Sequence, residues 1–217
     1  MKTLRTLAML AALFCIGAQA QVKFGVAAEL GPSFYSHKAE ATEGGSSFST
    51  TTKKSGFGWN VGAFADIPVG KLMLQPGVSF GMMSAKLDGD YSTTNTLINI
   101  PVMLGYPISI GSFKLRPELG PVLGLGLSWK EKENGTKIDD NLYEADEFKR
   151  FRFGLKFGAM FELNEHLAFG LHFDKGLNAQ YDYEDEESET YAGYKYSYEV
   201  KEKGKWNFLS LRCAYTF

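Results

Sequence analysis

Residues 113–127 read FKLRPELGPVLGLGL. Phe113, Leu115, Leu119, Leu123, Leu125 and Leu127 stand on odd positions. Lys114, Arg116, Glu118, Gly120, Gly124 and Gly126 stand on even ones. Such alternation is the signature of a β-strand, because successive side chains point to opposite faces. One face is greasy and the other carries charge and glycine. The fold turns on which of the two meets water.

The same alternation recurs, making eight candidate strands. Outward from the opening stretch, the apolar faces are Val22, Phe24, Val26, Ala28, Leu30 and Phe34; Phe57, Trp59, Val61, Ala63, Ala65 and Ile67; and Leu72, Leu74, Val78, Phe80 and Met82. Ile98, Ile100, Val102, Leu104, Tyr106 and Ile108 follow, and the opening strand itself extends its face to Trp129. The last three are Phe151, Phe153, Leu155, Phe157, Ala159, Phe161 and Leu163; Leu167, Phe169, Leu171 and Phe173; and Leu209, Leu211, Cys213, Tyr215 and Phe217. Short connections at Pro68–Gly70, Ser109–Ser112 and Asn164–His166 alternate with long polar ones near 36–55, 84–95, 130–147 and 175–203. Short turns at one end and long loops at the other are the layout of an outer-membrane barrel. The expected fold is all-β: an eight-stranded antiparallel transmembrane β-barrel with short periplasmic turns and long extracellular loops. An even strand number leaves both chain ends on the short-turn side.

Alternation alone also fits a soluble lipid-carrying barrel with the faces reversed. The second face decides between them. It carries Gly58, Gly62, Gly77, Gly81, Gly120, Gly124, Gly126, Gly154, Gly158 and Gly170. A water-facing exterior favours lysine, glutamate and threonine over glycine, which weakens strands. A crowded eight-stranded interior requires small residues, and about forty large apolar side chains could not fit there. The greasy face is therefore assigned to lipid. The charges then point inward and pair across the lumen: Glu29, Arg116, Glu118, Arg150, Arg152, Lys156, His172, Asp174 and Arg212, with Asp66, Lys114 and Glu162 beside them. Phe34, Phe57, Trp59 and Trp129 at the long-loop ends, and Tyr106 and Tyr215 at the short-turn ends, form two expected aromatic belts. Pro76, Pro101, Pro117 and Pro121 remove donors from the strand ladders, so bulges or a partly open barrel are expected there.

Residues 1–20, MKTLRTLAMLAALFCIGAQA, place Lys2 and Arg5 before an apolar run and an Ala-Gln-Ala site. They read as a cleaved signal peptide, leaving residues 21–217 as one outer-membrane barrel domain. Cys15 leaves with the signal, since Phe14 is too bulky for a lipoprotein site, and the lone Cys213 cannot form an internal disulfide. With Lys2 and Arg5 gone, the 23 basic residues fall to 21 against 25 acidic ones, which argues against a nucleic-acid partner. No Cys/His cluster has zinc spacing, and no cofactor is expected.

The stretch INIPVMLGYPISIGSFKLRPELGPVLGLGLS, with Ile100-Pro101 and Leu119-Gly120-Pro121, resembles the small outer-membrane β-barrel family of Bacteroidetes, the PorT-like group. The resemblance implies residence in the outer membrane of a Gram-negative bacterium. It carries over no catalytic residue, though one family member is implicated in protein secretion. Phe217 closes the final alternating strand, similar to the signal by which barrel-insertion machinery recognises its clients. Further features bear on function. His172 and Asp174 share a strand face, as a base and its orienter would, but a buried charge network is the stronger reading. Asp182, Glu184, Asp185, Glu186, Glu187 and Glu189 form an acidic run, read as solvated in preference to calcium-binding. Lys175, Lys203 and Lys205 point outward above the lipid band, where lipopolysaccharide phosphates are the expected contact. Tyr194, Tyr196 and Tyr198 alternate, so the last hairpin is expected to rise past the membrane as a ribbon able to take a partner strand. The expected role is structural or interactive: envelope integrity, adhesion or service to a secretion or envelope complex. Neither a general pore nor an enzyme is expected. A membrane-embedded lipid-modifying enzyme and a soluble periplasmic lipid carrier are the alternatives.

Overall fold

The structure, a computed structural model, describes residues 22–43, 46–87, 91–111, 113–133, 136–137, 141–191 and 194–217. The expected signal peptide and its cleavage point after Ala20 lie outside the described residues. Among the described residues, eleven strands follow in order: β1 (Lys23–Glu43), β2 (Ser46–Val69), β3 (Leu72–Lys86), β4 (Tyr91–Gly105), β5 (Ile108–Ile110), β6 (Phe113–Glu133), β7 (Thr136–Lys137), β8 (Phe151–Glu162), β9 (Leu167–Gly176), β10 (Tyr181–Tyr191) and β11 (Tyr194–Thr216).

Eight of them form one antiparallel ring, in the order β1-β2-β3-β4-β6-β8-β9-β11. The ring closes where β1 pairs with β11, from Gly25↔Thr216 to Glu43↔Tyr198. The short strands β5 and β7 pair onto the ends of β6, and β10 pairs onto β11. Closure matters because a strand edge in hydrocarbon would expose unpaired N–H and C=O groups.

The ring is turned as the glycine-rich face demands. Leu30, Val61, Val78, Leu119, Leu125, Phe151, Leu171 and Leu211 are each more than half exposed on the outside. The buried interior holds four acids (Glu29, Asp66, Glu118, Asp174) and four bases (Arg116, Arg152, Lys156, Arg212). A soluble barrel would show the reverse.

The prolines leave the register intact. Beside Pro32, the β1–β11 ladder lapses after Leu30↔Leu211 and resumes in phase at Ser33↔Phe208. The same two-row lapse occurs at Pro76 on the β2 side, at Pro101 on the β3 side and at Pro121 on the β4 side. Past Pro32 and Pro121 the opposite ladder runs unbroken. A missing donor thus interrupts one seam locally, without the bulge or opening expected from the sequence.

The bulge lies elsewhere. Between β4 and β6 the register shifts at Thr96/Leu97, where Thr96 pairs with Ser128 but Leu97 with Gly126. Leu127 is the extra residue. It inverts the phase of everything after it, so Trp129 points inward and is 1% exposed. The expected place of Trp129 in the outer aromatic belt is therefore corrected. Phe57 and Tyr106, by contrast, face outward.

Candidate functional site

Alternation on the eight ring strands delivers the charged side chains to the lumen, and two ladders of ion pairs result. Arg116 (β6) is the centre of the first. Its Nε donates to Glu118 Oε1 at 2.6 Å, and its Nη1 lies 2.9 Å from Glu162 and 3.7 Å from Asp66. Asp66 accepts from Gln75 Nε2 at 2.7 Å, and Gln75 Oε1 accepts from Arg212 Nη2 at 2.8 Å. Arg212 reaches Glu29 at 3.4 Å, and Glu29 also pairs with Lys156. His172 Nε2 meets the second oxygen of Glu118 at 2.9 Å. Higher up, Arg152 clasps Asp174 through two bonds of 2.7 and 3.1 Å.

His172 and Asp174 therefore share a face but not a partner. The histidine faces Glu118 and the aspartate faces Arg152, so they do not form a base and orienter. Arg150 is corrected as well. It precedes β8, is exposed at the rim, and lies with its guanidinium 5.1 Å from the centre of the Tyr143 ring. Glu29, Asp66, Arg116, Glu118, Arg152, Lys156, His172, Asp174 and Arg212 are buried in the lumen. Lys114, expected beside them, is exposed at the start of β6, and Glu162 is half-buried at the end of β8.

The alternation pattern did not reveal an aromatic plug above these pairs. Tyr35 (β1), Trp129 (β6), Tyr143, Trp206 and Phe208 (β11) pack as one buried cluster with Met83 and Leu97. Trp129 meets Tyr35, Tyr143 and Trp206 at ring-centre distances of 5.7–5.9 Å, and its Nε1 donates to Thr93 at 2.6 Å. Tyr143 arrives from a connecting segment. A 3-10 turn, Leu142–Glu144, capped by Asn141, drops its ring inward, and its hydroxyl donates to Asn95 Oδ1 at 2.9 Å. Two glycines make the space. A Cβ on Gly126 would collide with the Tyr143 hydroxyl, and one on Gly204 with that of Tyr35. The available signal was a phase fault: Tyr35 and Trp206 are large aromatics on positions that alternation assigns to the polar face.

The two ends of the barrel differ. At the short-turn end lies an open vestibule of about 670 Å³, walled by Lys23, Asp66, Lys114, Arg116, Glu162 and His166 among others. At the long-loop end, β1, β2, β10 and β11 continue past the rest of the ring as a four-stranded upright sheet. This sheet carries the expected ribbon of the last hairpin. Lys203 is exposed on the β11 strand of this sheet and Lys175 on the neighbouring β9, and Lys205 donates to the Leu177 carbonyl at 2.9 Å. The carboxylates of Glu184, Glu186 and Glu199 converge within 4.8 Å. Lys201 already bridges Glu184 and Glu199, so its ammonium supplies the cation that calcium would otherwise provide. Those bonds raise the lysine's pKa.

A closed eight-strand ring, greasy outside and ion-paired inside, now has a matching family. The model of the outer membrane protein beta-barrel domain family matches residues 18–182. The chain belongs to that family. It is a β-barrel protein of the Gram-negative outer membrane. Among solved structures it is similar to a major outer membrane protein from Thermus thermophilus (19% identity, 91% of this chain and 100% of that one, TM-score 0.45). It is also similar to Neisserial surface protein A (14%, 89% and 97%, TM-score 0.39) and to OprG from Pseudomonas aeruginosa (15%, 89% and 95%, TM-score 0.36). No curated protein matches the chain.

Proposed function

We propose that this barrel is a non-conducting outer-membrane platform that works through its raised sheet, in envelope integrity, adhesion or service to an envelope complex. The observation that carries the reading is the contrast between its two halves. The lumen is filled by mutually paired ions and then by an aromatic plug, while four strands are built well beyond the lipid. Balanced charge inside offers no net field to draw either kind of ion. The test is twofold. Purified protein in planar bilayers gives no steady large conductance. A pull-down from intact outer membranes recovers a partner with the wild type and loses it when the β10–β11 hairpin is shortened. Steady conductance, or a partner that survives shortening, would count against the reading.

Two contacts belong to the same proposal. Lys175, Lys203 and Lys205 would meet lipopolysaccharide phosphates, and replacing all three with Gln should lower lipopolysaccharide co-purification. The final strand would be the handle for barrel insertion. Phe217 is 68% exposed beyond β11 and donates its N–H to the Phe24 carbonyl at 2.8 Å. Phe217→Ser should reduce the inserted fraction while the protein refolded in detergent stays barrel-like. Placement in the PorT-like group rests on the Ile100-Pro101 and Leu119-Gly120-Pro121 pattern.

A further inference from the structure

The vestibule at the short-turn end sorts its charges by depth. Arg116, Asp66 and Phe64 line it from below, each less than a tenth exposed. There the Arg116 guanidinium holds Glu162 at 2.9 Å and Asp66 at 3.7 Å. Those two acids are the ladder neighbours of two lysines. Lys23 stands in register with Asp66, and Lys114 with Glu162. Both carboxylates turn to Arg116, and neither lysine has an ion pair among the described residues. The chain before β1, residues 1–21, contains no acid that could supply one.

Lys23 and Lys114 stand opposite each other at the mouth. In the ring of eight, β6 lies four steps from β1, half the circumference. Glu165 joins them from the connection between β8 and β9, exposed and without an ion pair among the described residues. Its turn is tied down on both sides. Asn164 Oδ1 accepts from the N–H groups of His166 and Leu167 at 2.9 and 2.8 Å, and His166 Nδ1 donates to the Thr216 carbonyl at 2.7 Å. The mouth therefore offers two ammonium groups and one carboxylate above a floor whose charges are already matched. Phe64, Met73, Ala168 and Ala214 add apolar wall. The volume of about 670 Å³ lies within the range of small-ligand pockets.

We infer that the vestibule is a binding site for a short peptide that carries more free carboxylates than amines, entering from the periplasmic side. Lys23 and Lys114 each take a carboxylate through charge-assisted hydrogen bonds. Glu165 takes an amine, and the apolar wall takes methyl and methylene groups. A bare acyl chain would have to bury the Arg116 cluster against hydrocarbon, which is costly. A purely anionic ligand would meet Glu165 without a partner for it. The peptide stems of the cell wall have the required composition, and the short turns face their compartment. The site lies at the far end from the raised sheet and does not depend on it.

Titration calorimetry on the protein in lipid nanodiscs tests it, with the tripeptide L-Ala-γ-D-Glu-meso-diaminopimelic acid as the probe. The expected result is saturable binding that weakens as salt is raised. Lys23→Gln with Lys114→Gln should weaken it about tenfold or more, the loss of charge-assisted contacts. Neither lysine is ion-paired, so the double variant strands no buried charge, and its folding is checked by heat-modifiable gel migration. Lys23→Arg with Lys114→Arg should retain binding. Lys71→Gln, exposed at the same end but outside the vestibule wall, should leave it nearly unchanged. No saturable binding overturns the inference, as does unchanged binding in the folded double Gln variant. Equal affinity for the tripeptide with its carboxylates amidated, or for inorganic phosphate, overturns it too. Co-sedimentation with isolated cell-wall sacculi, lost in the double Gln variant, names the wall as the source. Binding of the free tripeptide without co-sedimentation names soluble wall fragments.

Discussion

Arg152 and Asp174 show at the residue scale why charge can sit inside this barrel. Each is nearly inaccessible, and their two-point contact matches a planar guanidinium to a planar carboxylate. Removing one member strands the other. Arg152→Met should therefore cost about 3–5 kcal/mol in urea unfolding from lipid vesicles. The double substitution Arg152→Met, Asp174→Leu should recover most of that loss, because an apolar pair replaces the ions without leaving a bare charge. A double variant no more stable than the single one would show that the pair is not acting as a unit. Gly126 supports the plug in a different way. Gly126→Val should expel Tyr143 from above Asn95, shift the emission of Trp129, which packs on it, and leave the barrel inserted. Most lumen charges were legible in the sequence, because strict alternation assigns a face to each one. Arg150 was misassigned because it lies just before β8, where alternation has no hold.

At the scale of elements, one extra residue decides the upper half of β6. Leu127 bulges against Thr96 and Leu97 and reverses the faces of all that follows. Sequence periodicity has no means of locating such an insertion, since a one-residue slip exchanges both faces at once. Deleting Leu127 should remove the bulge without turning Trp129, because Ser128 would then follow Gly126 in plain alternation and Trp129 would still pair with Asn95 on the lumen side. In a Trp59→Phe, Trp206→Phe background, emission from Trp129 should stay shielded from brominated acyl chains. Quenching would mean that the strand end does not follow its register. The prolines teach the complementary lesson. They were legible as missing donors, but a ring of eight strands tolerates a two-row lapse because the register is held above and below it.

For the whole molecule, the division into a filled lower lumen, an aromatic stopper and a raised sheet makes a specific prediction about conduction. Tyr143→Ala alone should leave planar bilayers silent, because Trp129, Trp206 and the Arg152–Asp174 pair remain beneath and beside it. Joint replacement of Tyr35, Trp129, Tyr143 and Trp206 by alanine should admit water to the upper lumen, read as faster hydrogen exchange at the upper rows of β6 and β11. Steady conductance would still be absent, since the Arg116–Glu118–His172 and Glu29–Lys156–Arg212 contacts close the section below. Conductance in the single variant would show that the plug alone seals the barrel.

Alternation of greasy and polar residues, glycine on the polar side, and unequal connections were enough to read an eight-stranded barrel with its apolar face in lipid, because a membrane imposes one repeating rule on every strand. Pairing within the lumen, the inward fall of Tyr143 and the phase reversal at Leu127 depended on strands far apart in the chain meeting in one register. A pattern of period two carries no record of which neighbour each strand will face.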